Sequence, residues 1–214
     1  MELDINEAFP KENTVKASVL LAHPYEKSLN QAIFRTVCEK LDELKVGTFA
    51  HDLYFEKFNP VMPRKELGTD RSEDALVNQY AEELVASEFL ILVHPNWWGQ
   101  PHAIMKGYVD RVIRPPYSYD FPPGVSGGGI PIGKLRGKTG IVFNTSNTEE
   151  SRENAVFGDP LEDIWKNCIF GFCGIDSYYR KMFRVVADSD RDQRKMWLKE
   201  AADITENAVK NRMV

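Results

Sequence analysis

Three stretches of this chain carry residue types that could hold a ligand, and each follows a short apolar run. They are His23-Pro24-Tyr25-Glu26-Lys27-Ser28-Leu29-Asn30, His94-Pro95-Asn96-Trp97-Trp98-Gly99 and Asn144-Thr145-Ser146-Asn147-Thr148. In the first, Ser28 with Gln31 fits the Ser-x-x-Gln capping box of a helix start. A helix N-terminus binds anions through its free amide hydrogens and its dipole. His23, Ser28 and Asn30 add side-chain donors, so a phosphate suits the loop; a plain N-cap beside a backbone-satisfied histidine suits it too. In the second, two adjacent tryptophans stand in a loop and not in a hydrophobic run. One is expected to anchor the core, which leaves the other to line a cleft for a flat ligand. Asn96 can offer a donor and an acceptor to the edge of a ring. The third stretch, rich in small polar residues, can present backbone amides to a heteroaromatic edge or form an ordinary Asx or Ser/Thr turn.

Other chemistries fit poorly. The glycine-rich segment at residues 126–133 is not a phosphate cradle: Gly133 stands too close to Gly137-Lys138-Thr139, and Leu135 follows the correctly spaced Gly128 and Lys134. Both patterns precede a strand, whereas that cradle needs strand, loop, then helix. His51, His94 and His102 show no metal-ligand spacing, and Cys168 and Cys173 are too far apart for Cys-x-x-Cys. No metal site is expected.

The elements that must position these loops follow from periodicity. Residues 15–22 and 89–93 are apolar runs of the kind buried on both faces of a parallel sheet. Further strands are expected at 46–50, 138–144 and 175–183. Helices are expected from Ser28, from a Ser72 cap to about Ser87, from Pro101 to about Arg114, from Asp159 to Phe172, and from Asp190 onward. Residues 115–133 lack periodicity, which reads as a flap or as disorder. Alternating strands and helices specify a doubly wound α/β domain. Right-handed crossovers then bring the ends of the first, third and fourth strands to one rim, where open α/β sheets bind ligands.

At 214 residues the chain is long enough for one domain with a sizeable core, here 15–214 behind an N-terminal arm at 1–14. The net charge of −5 argues against a nucleic-acid partner. No apolar segment reaches the roughly 20 residues of a membrane span. Cys38, Cys168 and Cys173 sit in apolar helical patterns as small buried hydrophobes, and three cannot all pair, so a cytoplasmic location is expected.

With these residues in view, the chain resembles the flavodoxin-like NAD(P)H:quinone oxidoreductase family. That group spans the DT-diaphorase type and the smaller bacterial flavin reductases that accompany potassium-efflux systems. Besides the first two loops, the resemblance is carried by Asp52-Leu53-Tyr54 with Phe58-Asn59-Pro60, by Pro101 and Met105-Lys106-Gly107, and by Leu135-Arg136-Gly137-Lys138. Gly158-Asp159-Pro160 and Phe172-Cys173-Gly174 complete it.

The resemblance implies a five-stranded parallel sheet, a bound FMN (alternatively FAD) and NAD(P)H as electron donor. It implies a ping-pong, two-electron reduction of quinones or similar flat electrophiles, in a homodimer. His23, Ser28, Leu29 and Asn30 would hold the flavin phosphate and ribityl chain. Pro95, Asn96, Trp97 and Trp98 would flank the isoalloxazine, and Asn144, Thr145, Ser146 and Asn147 would bond its polar edge. Tyr117, Tyr119 and Phe121 match the segment that covers the substrate, often from the partner subunit. No side chain need be catalytic, since the flavin carries the chemistry.

Three departures stand out. Thr-Thr-Gly-Gly of the family is Asn144-Thr145-Ser146-Asn147 here. The family's tyrosine and histidine proton relay is replaced near Ser151 and Phe157, where Arg152 or Glu153 could substitute. The region at 60–72 lacks the insertion that holds the adenine half of FAD, which favours FMN. A regulatory flavin subunit of a transport system and a flavodoxin-type electron carrier are the alternatives.

Overall fold

The computed structural model describes residues 15–124 and 129–213; the expected N-terminal arm and residues 125–128, where the glycine-rich segment begins, lie outside the described residues. Five strands, β1 (Lys16–Leu21), β2 (Gly47–Asp52), β3 (Phe89–Pro95), β6 (Thr139–Ser146) and β7 (Ser177–Arg184), form an all-parallel sheet in the order β2-β1-β3-β6-β7. Strands β3 and β6 are buried at every position.

Side-chain alternation along β3 divides the core in two. Leu90 and Leu92 face α2 (Ala75–Ala86), α3 (Ala103–Val112) and the helix that runs from α5 (Pro160–Asp163) into a π-helical stretch, Ile164–Gly171. Phe89, Ile91 and Val93 face α1 (Leu29–Glu43) and α6 (Arg191–Met213). Each fully buried leucine, isoleucine or valine here contributes about 1.5–3 kcal/mol. With α4 (Glu150–Val156) there are six α-helices among the described residues.

Several sequence expectations need correcting. The helix expected from Pro101 begins at Ala103, with His102 in the extended cap position. Asp74, not Ser72, caps α2: its carboxylate accepts from Leu76 N at 3.1 Å, while Ser72 accepts from Asp74 N at 2.9 Å. The aperiodic 115–133 stretch contains a small antiparallel pair, β4 (Tyr119–Asp120) with β5 (Ile132–Gly133). Its strands are too short to show a period. Helix α4 was not expected, because six of its seven residues are exposed and give no apolar stripe. All three cysteines are free, but Cys168 is exposed on the π-helical stretch and does not pack as a core residue.

Glycine matters most at Gly107, where a Cβ would lie 2.3 Å from Pro60 Cβ. Only the smallest residue lets the Phe58-Asn59-Pro60 segment cross α3.

Candidate active site

The C-terminal ends of β1, β3 and β6 are neighbours, and the loops that follow them meet. His94 pairs with Asn144 and Pro95 with Thr145 in the sheet register. Asn96 N donates to Thr145 O at 2.7 Å, and Ala22 N to Val93 O at 2.9 Å. Together the loops wall a cleft of about 810 Å³.

On the first wall are His23, Ser28, Leu29 and Asn30. Ser28 Oγ accepts from Gln31 N at 3.1 Å, closing the N-cap, but Gln31 Oε1 finds no partner, so only half of the capping box forms. The Leu29 and Asn30 amides, with no helical turn before them, have no acceptor among the described residues. His23 Nδ1 lies 3.1 Å from Tyr25 N, and desolvation lowers the pKa of its ring.

The second wall is Pro95, Asn96, Trp97, Trp98 and Gly99. Neither indole is a core anchor: Trp97 is 45% exposed and Trp98 completely so. Trp98 (φ 60°) and Gly99 (φ 71°) are both left-handed, and this reversal carries both rings out of the core. Trp97 stands edge-on to His102 at 4.8 Å. Asn96 does not reach out to a ring edge with its side chain. Its Oδ1 accepts from Gly99 N at 2.9 Å, and its Nδ2 donates to Glu153 Oε1 at 3.0 Å.

The third wall holds Thr145, Ser146 and Asn147, but not Asn144. β6 extends through Ser146, and strand alternation turns Asn144 away from the cleft into a buried polar network. Asn144 Nδ2 lies 3.0 Å from His94 Nε2, and its Oδ1 accepts from Arg180 Nε at 2.9 Å. Trp165 Nε1 also donates to His94 Nε2, at 3.0 Å, while Nδ1 donates to Pro95 O at 2.8 Å. These partners fix one neutral tautomer, and full burial pushes the His94 pKa down to about 3. His102, also buried, falls to about 4.

Sequence reasoning gave no binding role to Lys27 of the first loop, nor to Phe157, Pro160, Val186 and Arg194 from outside the three loops, all of which line the cleft. Val185 has φ 58°, strained by about 1–3 kcal/mol for a residue other than glycine. That turn is held by Asn147 Oδ1, which accepts from Ala187 N at 2.9 Å, and by Arg194 Nη2, which donates to Val186 O at 3.2 Å. No local pattern advertises Arg194, which sits in the first turns of α6 and meets the cleft where it bonds this turn.

Tyr117, Tyr119 and Phe121 do not line this cleft. Tyr119 packs edge-on to Phe172 at 4.8 Å and to Phe121 at 5.9 Å, against the opposite face of the sheet. Glu153 and Arg152 do not line it either. Among the described residues no group of three or more His, Cys, Asp or Glu could hold a metal ion, and no helix is long and apolar enough to cross a membrane.

The residues fit a flavin phosphate. The free Leu29 and Asn30 amides and the lining cations Lys27 and Arg194 suit its anionic oxygens, while Asn30 Oδ1, an acceptor buried without a partner, suits a hydroxyl donor of the adjoining chain. Trp97, Trp98 and Phe157 add aromatic lining suited to a flat ring.

This strand order, with a cleft at the β1/β3 switch point, defines a flavodoxin-type α/β protein. Residues 16–206 match the family described as the flavodoxin-like fold. The chain is 30% identical over 195 residues to an uncharacterized NAD(P)H oxidoreductase of Haemophilus influenzae, covering 88% of this chain and 93% of that one. It is 25% identical to the ribosyldihydronicotinamide dehydrogenase [quinone] of Mus musculus, over 86% of this chain and 87% of the relative. The chain belongs to the flavodoxin-like NAD(P)H:quinone oxidoreductase family. A crystal structure from Streptococcus mutans superposes with a TM-score of 0.78 at 27% identity, over 90% of this chain and all of that one. An FMN-dependent NADH-azoreductase of Bacillus anthracis in complex with FMN shares the fold, with a TM-score of 0.70 at 16% identity, over 91% of this chain and 99% of that one.

Proposed function

We propose that the chain is an FMN-dependent NAD(P)H:quinone oxidoreductase. The observation that carries this reading is the polarity of one cleft, cationic and amide-lined where α1 begins and aromatic at Trp97, Trp98 and Phe157. A bound flavin would supply the redox chemistry, accepting a hydride from a reduced nicotinamide and passing two electrons to a flat acceptor in a second, ping-pong half-reaction.

The protein's part is binding and orientation. Leu29 and Asn30 amides with Lys27 and Arg194 would hold the phosphate, and Asn30 Oδ1 would accept from a ribityl hydroxyl. Trp97 and Trp98 would flank the ring and exclude water from one side. Thr145 to Asn147 would offer amide hydrogens to the ring's polar edge, the type of donor that stabilises charge developing there. Asn144 has no part in this edge.

Quinones are the proposed acceptors, in line with the quinone-reducing relatives. We further propose a homodimer in which Tyr117, Tyr119 and Phe121 reach the partner's cleft, and a cytoplasmic enzyme, consistent with three free cysteines.

The test is direct. The mass and absorption spectrum of the molecule the purified protein carries identify the flavin. NADPH oxidation with menadione then measures turnover. A bound flavin that neither NADH nor NADPH reduces would reject the proposal.

A further inference from the structure

Glu153 stands outside the three loops, and it is the single buried residue of α4. A short helix that buries only a carboxylate is unusual, because a charge out of water is costly unless paired and hydrogen-bonded. Both needs are met. One oxygen accepts from Asn96 Nδ2 at 3.0 Å, and the other pairs with Arg184 Nη1 on β7. Arg184 Nη2 lies 3.7 Å from Asp159, which accepts from Arg180 at 2.7 and 2.9 Å.

The far end of this chain is the cleft loop. Asn96 Oδ1 accepts from Gly99 N at 2.9 Å, across the two left-handed residues Trp98 and Gly99. An asparagine amide can present its oxygen and nitrogen either way round. Here an acceptor-only carboxylate on one side and a donor-only backbone amide on the other permit one orientation.

We infer that Glu153, held by Arg184, is a positioning residue: it orients the Asn96 amide and, through the Asn96–Gly99 bond, sets the turn that presents Trp97 and Trp98 to the cleft. This replaces the idea that Glu153 substitutes for a proton relay, since the carboxylate neither lines the cleft nor touches solvent. Its bearing on cofactor binding rests on the flavin reading; the hydrogen-bond chain does not.

The test reads Gly99 amide hydrogen exchange by NMR in the ligand-free protein, with riboflavin affinity by fluorescence quenching in parallel. E153Q offers one acceptor to two donors, and N96D sets two carboxylates against each other. The double variant N96D/E153Q reverses the polarity, so the new amide donates to the new carboxylate and every bond is remade. Either single variant should speed Gly99 exchange by about tenfold or more, and the double should return it to within about threefold of the native rate. Amides within β1 and β3 should not change, and riboflavin affinity should fall and recover in step. Unaltered Gly99 exchange in the single variants, a double variant as fast as the singles, or uniform acceleration of all amides would overturn the inference. If the single variants do not fold, the double decides: folded with Gly99 protected supports it, and Gly99 unprotected or no fold overturns it. If the native protein takes up neither riboflavin nor FMN, the flavin reading falls, and Gly99 exchange still judges Glu153.

Discussion

Asn30 Nδ2 donates to Thr145 Oγ1 at 2.8 Å, joining the first turn of α1 to the end of β6 across 115 positions of sequence. Both residues are buried, and the bond leaves Asn30 Oδ1 without a partner.

The Asn30→Ala variant should lose about 1–3 kcal/mol of stability, measured by urea unfolding, because Thr145 is left buried and unpaired. FMN affinity should fall about tenfold with it. Thr145→Val removes the same bond but keeps Asn30 Oδ1, so it should lose stability and retain more of the affinity. Equal affinity losses in the two variants would contradict the role given to that oxygen.

Lys27 and Arg194 are the cations that line the cleft. Replacing Lys27, which bonds no other described residue of the cleft, with methionine should weaken FMN binding about tenfold and leave riboflavin, which lacks the phosphate, nearly unchanged. Titrations of both ligands by flavin fluorescence distinguish the two. A parallel loss for riboflavin would move the phosphate site elsewhere.

Trp98 is completely exposed, so Trp98→Ala should change stability by no more than about 0.5 kcal/mol. Its effect should appear as weaker binding of FMN and riboflavin alike, titrated by flavin fluorescence. Unaltered affinity for both would remove this ring from the flank of the flavin.

His94 and His102 are held neutral by burial, with pKa values lowered to about 3 and about 4. The unfolded chain therefore binds more protons than the folded one between these values and the ordinary histidine pKa of about 6.5. Stability from this source is complete above about pH 6.5 and is lost as pH falls toward 4 and 3, by up to about 1.4 kcal/mol per pH unit for each histidine. Urea midpoints from pH 7 to pH 5 should fall accordingly, and His102→Phe should flatten the slope.

Gly107→Ala places a methyl within 2.3 Å of Pro60 Cβ, which the packed interior cannot absorb without movement. A loss of about 1–3 kcal/mol is expected in thermal or urea unfolding. A gain, as helix propensity alone would give, would show that the Phe58-Asn59-Pro60 crossing is free to shift.

Much of this was legible in the sequence. The unbroken apolar run at 89–93 and the Ser28 cap announced β3 and α1, because burial on two faces and capping leave local marks in composition. The short β4–β5 pair and the exposed helix α4 left no such mark, and neither did Arg194, an α6 residue that bonds the turn pinned by Asn147.

The residues alone determined the alternation of strands and helices, and hence that the ends of β1, β3 and β6 share one rim. Only the tertiary structure decided which side chains at that rim face a ligand. Successive residues of a strand point to opposite faces, so one step along β6 sends Asn144 inward to His94 and Arg180 and turns Thr145 toward Asn30. That parity depends on where the strand ends and which neighbours it pairs with, and those are properties of the assembled sheet.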